Sequence, residues 1–197
     1  MIQGTDVPRS DEKMQTVMRW QLKHADLLHE PAEALIVSAN PQLLLSGGLG
    51  AALLNRYGQD VQIELQYHLK KIGQRYVQPT DVAPTFGGGL PYKVVLHAVA
   101  IDAFYDTSPD WVTAALDKAL QLAARYEACT IAAAALATGY GRLPMLDFAV
   151  GLKPLLRRTY APVEQVTLCL SNREKYEELA SLLPELLAAP SGSEMVE

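Results

Sequence analysis

Two kinds of hydrophobic pattern alternate along the chain. Apolar runs of six to nine residues are separated by longer stretches in which apolar side chains recur every three or four positions. The runs predict strands, some of them buried on both faces, and the stretches predict amphipathic helices. The predicted strands are 14–22, 34–39, 93–101, 130–135 and 163–170. The predicted helices are 48–57, 60–72, 108–127, 144–159 with a kink at Pro154, and 171–183.

Signals at the element boundaries support this division. Ser108 before Pro109 is typical of a helix start, and Ser171 with Glu174 forms a capping-box pattern at the start of the last helix. Segment 79–91 is rich in proline and glycine and predicts an irregular excursion or a hairpin. The alternation of strands and helices predicts one α/β domain. Its expected bounds are 14–185, with a polar N-terminal extension at 1–13 and a flexible tail at 186–197.

Composition narrows the class of protein. With 197 residues, 49% hydrophobic and 20% charged, the chain can bury a core without disulfide or metal support. Cys129 and Cys169 lie in apolar runs without metal-ligand spacing, so we expect free thiols, no metal site and a cytoplasmic location. No apolar segment resembles a secretory signal or a membrane span, and we expect no membrane partner. A net charge of −5 disfavours general nucleic-acid binding, but not an anion held by backbone amides.

Two glycine-containing loops, 40–49 and 137–144, each follow a predicted strand and precede a predicted helix. Glycine lets backbone N–H groups converge on a phosphate, and a helix N-terminus adds partial positive charge. In α/β sheets such loops form the ligand crevice, so the pair could clamp a diphosphate from two sides. Taken singly, each loop is more simply explained as a tight turn. The defining residues of the P-loop and of the dinucleotide fingerprint are absent from the sequence.

Five short motifs follow one another in a distinctive order. They are Ala25-Asp26-Leu27, Val37-Ser38-Ala39-Asn40, Ser46-Gly47-Gly48-Leu49, Val95-Leu96-His97-Ala98-Val99, and Ala137-Thr138-Gly139-Tyr140-Gly141 with Pro144 after it. In this order and spacing they resemble the macro domain, a family of ADP-ribose-binding modules, from about residue 14 to residue 183. The resemblance implies a three-layer α/β/α fold with a mixed central sheet and helices on both faces. It also implies that the chain recognises ADP-ribose, free or attached to a macromolecule, without a cofactor.

The resemblance assigns roles to individual residues. Asp26 would accept a hydrogen bond from the exocyclic amine of adenine, and the N–H of Leu27 would serve a ring nitrogen. Asn40 would reach the distal ribose. The diphosphate and the distal ribose would be held by Ser46, Gly47, Gly48, Leu49, Ala137, Thr138, Gly139, Tyr140 and Gly141. Arg142 would meet a phosphate or point to solvent. Local alternatives stay open, because Asp26 suits a turn and Asn40 before Pro41 suits an Asx-turn.

One departure from the family pattern bears on catalysis. Hydrolytic members carry an acid directly after the segment matched here by Ser46-Gly47-Gly48-Leu49, where this chain has Gly50, and Asp60 lies too far along to replace it. Glycine cannot accept a proton, so we expect binding first. The alternative is an ADP-ribosyl hydrolase that acts on a modified protein, a nucleic acid or a metabolite with an unusual base, with Asn40 as the best candidate. A third reading is an unrelated nucleotide-binding α/β protein.

Other residues near the motifs carry weaker expectations. Ser171 stands where relatives often stack an aromatic ring on adenine. His97 is expected to be a hydrogen-bonded structural residue, and His24 a solvated residue or an edge of the adenosine site. His29 and His68 are expected at the surface. Segment 101–110, with Asp102, Phe104, Tyr105, Asp106 and Asp110, is expected to be a loop and helix cap, or else a wall of the distal ribose pocket.

Overall fold

The computed structural model describes residues 18–87 and 89–187, and these form a six-stranded sheet with helices on both sides. The strands are β1 (Arg19–His24), β2 (Ala34–Ala39), β3 (Val82–Thr85), β4 (Val94–Val99), β5 (Thr130–Ala134) and β6 (Gln165–Leu170). The α-helices are α1 (Gly48–Tyr57), α2 (Asp60–Lys71), α3 (Pro109–Arg125), α4 (Met145–Leu152) and α5 (Arg173–Leu182). Short 3-10 helices cover Leu27–His29, Lys153–Leu155 and Pro184–Leu187.

The sheet has the strand order β1-β6-β5-β2-β4-β3. All neighbouring strands run parallel except β3, which is antiparallel to β4. The carboxyl ends of β1, β6, β5, β2 and β4 therefore meet along one edge of the sheet. The loops that follow these five strands share that edge, which is where ligands bind in open α/β sheets.

Two hydrophobic layers cover the sheet. On one face, α3, α4 and α5 bury residues such as Leu116, Phe148 and Leu179. On the other face, α1 and α2 bury Leu53 and Leu65. Strand β2 contributes alternate side chains to both layers, so it reads as a continuous apolar run in the sequence. The predicted α/β/α fold with a mixed sheet is confirmed.

Most predicted bounds agree with the structure, and β2 and α1 agree at both ends. Segment 79–91 was predicted to be either an irregular excursion or a hairpin. It contains β3, which pairs antiparallel with β4, so it forms one side of a hairpin. This strand was not predicted as such because Pro84 interrupts it. At the edge of a sheet proline is tolerated, since its missing N–H faces away from the ladder.

Two helix boundaries differ from the prediction. Helix α4 ends at Leu152, seven residues before the predicted end at 159, and the chain continues as a 3-10 turn through Pro154. The predicted N-cap Ser171 is wrong by one residue, because Asn172 is the N-cap of α5 and its side chain accepts the N–H of Lys175 at 2.9 Å. Asparagine caps a helix as well as serine does, so the sequence alone does not separate the two.

The predicted bounds of the domain fall only partly within the residues that the structure describes. The predicted extension 1–13, the start of the predicted first strand and residues 188–197 of the predicted tail lie outside it. Leu186 and Leu187, the first residues of that predicted tail, belong to the last 3-10 helix, and Leu186 is buried. Among the described helices, none is both long and apolar enough to cross a membrane.

Candidate functional site

A cavity of about 940 Å³ opens along the edge where the parallel strands end. It is lined by the segments that follow β1, β6, β5 and β2, and by Ile101 and Tyr105 after β4. Its volume lies within the range of sites for small molecules. One continuous cavity therefore extends past five strand ends.

Nearly all the predicted ligand-binding residues lie together in this cavity. Its lining includes Asp26, Leu27, Asn40, Ser46, Gly47, Gly48, Leu49, Ala137, Thr138, Gly139, Tyr140 and Gly141. Arg142 is exposed and does not belong to the lining, although its neighbour Gly141 does. The structure thus brings the two predicted loops and the Asp26 segment to one place.

Asp26 follows β1 and caps the 3-10 helix Leu27–His29. Its Oδ1 accepts the N–H of Leu28 at 3.0 Å, and its Oδ2 lies 3.2 Å from Nδ1 of His29. The side chain is about half exposed, at 53%. A carboxylate oxygen can accept more than one hydrogen bond. The turn role of Asp26 therefore fixes its direction while leaving acceptor capacity for a ligand.

The first loop, residues 40–47, is held by polar side chains (loop 1). Asn40 donates from Nδ2 to the carbonyl of Leu44 at 2.8 Å and accepts the N–H of Leu44 at 3.1 Å. Gln62 of α2 accepts the N–H of Leu45 at 2.7 Å and donates to the carbonyl of Leu43 at 2.9 Å. Leu43 is buried and has a positive φ of 53°, which its packing must hold in place. Loop 1 is thus fixed before any ligand arrives.

We expect Asn40→Ala to lower the free energy of unfolding by about 1 kcal/mol, because it removes both hydrogen bonds to Leu44 at a partly exposed site. Urea denaturation at neutral pH measures this change. Asn55→Ala is the matched control, since Asn55 is exposed within α1 and alanine favours a helix. Equal stability of the Asn40 variant and the parent would show that loop 1 does not depend on the two hydrogen bonds between Asn40 and Leu44.

The N-terminus of α1 provides unpaired backbone donors. The helix is capped by Gly47, with a φ of 62°, and its hydrogen bonding begins where the N–H of Ala51 meets the carbonyl of Gly47 at 3.1 Å. The N–H groups of Gly48, Leu49 and Gly50 precede that bond and have no acceptor within the helix. All three residues line the cavity. Such a terminus carries partial positive charge and binds anions.

The second loop, residues 137–144, contains two glycines with different roles (loop 2). A Cβ at Gly141 would lie 2.7 Å from the carbonyl oxygen of Ala137 and 2.7 Å from Cγ2 of Ile101, so this position is closely packed. A Cβ at Gly139 would meet nothing within 4 Å. Gly141 is therefore required for packing, whereas Gly139 leaves space open in the cavity wall.

The side chain of Tyr140 crosses from loop 2 to loop 1. A Cβ built on Gly47 would lie 2.0 Å from the Tyr140 hydroxyl, so only glycine permits this approach. The Tyr140 side chain is otherwise exposed, and its ring centroid lies 6.4 Å from that of Tyr105. The sequence predicted Tyr140 only as a backbone donor. Its contact across the crevice depends on how the two loops meet and was not predicted.

Lys175 was missing from the predicted site. It lies in the first turn of α5, lines the cavity, and donates from Nζ to the carbonyl of Thr138 at 2.6 Å. Asp26 and Lys175 are the only carboxylate, lysine or arginine side chains in the part of the lining that the structure describes.

His97 is buried, and His24 and His29 are exposed, as expected, whereas His68, expected at the surface, is half-buried. His97 is fully buried at the edge of the cavity, where Nε2 lies 3.0 Å from Oγ1 of Thr85, and burial lowers its pKa to about 3. It is therefore neutral near pH 7. Its Nδ1 has no hydrogen-bond partner among the described residues. His24 is exposed, with Nε2 3.2 Å from the carbonyl of Ser171, and is not part of the lining.

Close packing against Leu45 explains the glycine at position 50. A Cβ at this position would lie 3.2 Å from Cα of Leu45, so α1 and loop 1 are nearly in backbone contact. Asp26 is the only carboxylate in the described lining, and Asp60, at the start of α2, does not line the cavity. The cavity thus offers backbone amides and a single carboxylate at the end opposite Gly50.

Comparison with known proteins decides the family. The sequence model of the Macro domain family matches residues 36–150. The chain belongs to the macro domain family. A "Macro domain-containing protein in sno 5'region" of Streptomyces nogalater is 30% identical over 161 residues, covering 81% of this chain and 88% of that protein.

Solved structures of macro domains share the fold of this one. An Oceanobacillus iheyensis macrodomain variant with ADPR superposes with a TM-score of 0.74 at 20% identity, covering 84% of this chain and 91% of that chain. A Trypanosoma brucei macrodomain in complex with ADP-ribose gives a TM-score of 0.67 at 19% identity, covering 82% and 68%.

The segment after β4 combines the two roles expected for it in this macro domain. Asp102 accepts the N–H groups of Phe104 and Asp106, both at 2.8 Å, and Asp110 lies in the first turn of α3. Tyr105 in the same segment lines the cavity. The carboxylates of Asp102 and Asp110 therefore belong to a loop and a helix start, whereas Tyr105 forms part of the cavity wall. Within residues 18–87 and 89–187, no group of three metal-ligating side chains could hold a metal ion.

Proposed function

We propose that this macro domain binds ADP-ribose, free or attached to a protein. The observation that carries the proposal is the single cavity that is lined by the anchored carboxylate of Asp26, by the N-terminus of α1 and by loop 2. Adenine presents an exocyclic amine whose N–H can donate a hydrogen bond to a carboxylate. A diphosphate presents anionic oxygens that suit backbone N–H groups at a helix N-terminus.

The strand order supports this orientation of the ligand. Asp26 follows β1 and loop 1 follows β2, and these strands are separated by β6 and β5. Three strand spacings of about 4.8 Å place the two ends roughly 14 Å apart. An adenine and a distal ribose joined through a diphosphate span a distance of this order. The macrodomain structures with ADP-ribose that share this fold support the same class of ligand.

Isothermal titration calorimetry with ADP-ribose, ADP, AMP and NAD tests the proposal. ADP-ribose is expected to bind most tightly, because it reaches both loops and the Asp26 segment. AMP is expected to bind most weakly, since it lacks the second phosphate and the distal ribose. Absence of binding at millimolar ADP-ribose would overturn the proposal and leave an unrelated nucleotide as the ligand.

We further propose that the protein binds without hydrolysing its ligand. Gly50 offers no proton acceptor, and no other carboxylate of the described lining lies at that end of the cavity. Incubation with mono-ADP-ribosylated protein and with ADP-ribosylated DNA is expected to give no sustained release of ADP-ribose. Sustained release that Asn40→Ala abolishes would instead identify an enzyme.

Location and partners follow from the same properties as expectations. Cys129 and Cys169 are free thiols, which suits a reducing compartment, and we propose a cytoplasmic protein. The net charge of −5 supports a modified protein over bulk nucleic acid as its larger partner.

A further inference from the structure

Lys175 places an ammonium group in the wall of the cavity. It is the only lysine or arginine that lines the cavity within residues 18–87 and 89–187. Its Nζ donates to the carbonyl of Thr138 at 2.6 Å, and the side chain is half buried. An ammonium has three N–H donors, so two remain for a ligand after this bond.

The strand order indicates which part of the ligand Lys175 would meet. Helix α5 follows β6, and β6 lies between β1, which leads to Asp26, and β5, which leads to loop 2. Lys175 therefore lies beside loop 2, on the side towards the position proposed for adenine. In ADP-ribose the group between adenine and diphosphate is the adenosine ribose.

The diphosphate already has the amides of α1 and loop 2, and an unmodified ribose is neutral. A phosphate ester on the adenosine ribose would give the half-buried ammonium an additional anionic partner, with which it can form strong charge-assisted hydrogen bonds. Ser171 lines the same wall, and its small hydroxyl side chain occupies less space there than an aromatic ring would.

We propose that Lys175 makes this site selective for ADP-ribose that carries a phosphate ester on its adenosine ribose. The inference rests on the proposed function, since it adds one phosphate to the same ligand in the same cavity. Lys175 acts as a specificity-determining residue whose ammonium contacts the added phosphate and exchanges or shares its bond with Thr138.

Calorimetry on the full chain compares ADP-ribose with its 2′-phosphate and 3′-phosphate derivatives. The parent protein is expected to bind one phosphorylated form roughly tenfold more tightly than ADP-ribose, as for one charge-assisted hydrogen bond. Lys175→Met is expected to bring this ratio close to one. Lys175→Arg is expected to keep a preference.

Arg173→Gln is the matched control, because it removes a positive charge from the same helix outside the cavity. Arg173 is exposed and pairs with Glu177, with Nε 2.7 Å from Oε1. This variant is expected to keep the tenfold ratio. Thermal melting establishes that each variant is folded, and Lys175→Gln serves if the methionine variant is not.

The outcomes separate the inference from the proposed function. Absence of binding to all three ligands overturns the proposed function itself. Equal affinities of the parent protein for all three overturn only the selectivity. A preference that survives Lys175→Met, or disappears in Arg173→Gln, assigns the selectivity to general charge and overturns the role of Lys175.

Discussion

Gly139→Val is expected to weaken ADP-ribose binding by about a hundredfold or more while the protein stays folded. A Cβ at Gly139 meets nothing within 4 Å, and the residue lines the cavity, so a larger side chain grows into the ligand's space and not into the core. Valine there would keep a phosphate away from the amides of loop 2. Loss of two charge-assisted hydrogen bonds, each worth about 1.5–3 kcal/mol, accounts for the size of the effect.

Calorimetry with ADP-ribose, paired with thermal melting, measures both halves of this prediction. Gly139→Ala should give a smaller loss of affinity with the same melting temperature. Gly141→Ala is a contrasting variant that should lower the melting temperature, because its Cβ would lie 2.7 Å from the backbone oxygen of Ala137. Unchanged affinity of Gly139→Val would mean that loop 2 does not hold the diphosphate.

Stability is expected to fall by about 2 kcal/mol between pH 6.5 and pH 5.0, chiefly because of His97. Burial lowers the pKa of His97 to about 3, from an ordinary value of 6.5. Above pH 6.5 the imidazole is neutral in both states, and its full contribution is present. Below pH 6.5 the unfolded chain takes up a proton that the folded chain cannot, so stability is lost as the pH falls towards 3.

Urea denaturation at several pH values between 7 and 5 tests this slope. His97→Gln should lower stability at pH 7, because it disturbs the contact with Thr85, and should also make the slope shallower. Some slope should remain, since desolvation also lowers the pKa of His68. Asn55→Ala, at an exposed site without a titratable group, is the control that should keep the parent's slope. An equally steep slope in His97→Gln would assign the effect to other groups.

Elements with a strong period were predictable from the sequence alone. The apolar pattern alone was enough to predict strand β2 and helix α1. A strand buried on both faces has consecutive apolar residues, whereas an amphipathic helix has them at every third or fourth position. Strand β3 was not predictable from its own sequence, because it forms only by pairing with β4 at the edge of the sheet. The choice of Asn172 over Ser171 as a cap likewise depends on tertiary context.

The candidate site was largely predictable because its chemistry is carried by backbone amides in glycine-rich loops. Motif order brought Asp26 and both loops into one prediction, and the structure places them in one cavity. Lys175 and the reach of Tyr140 were missed because both depend on distances between segments far apart in the chain. Arg142 was included only because it follows Gly141, and a loop backbone can turn one neighbour inward and the next outward.

The contact of Tyr140 with Gly47 has a kinetic consequence. The ring crosses between loops 1 and 2, so a diphosphate entering that space must push it aside. The side chain is 62% exposed, and exposed rotamers exchange within nanoseconds, so entry is hardly slowed. A ring that packs back against a bound ligand adds a contact that must break before departure, so rotation away from the ligand is slower than the free rotation that admits it. Tyr140 would then act on residence time, lengthening the life of the complex without changing how fast it forms.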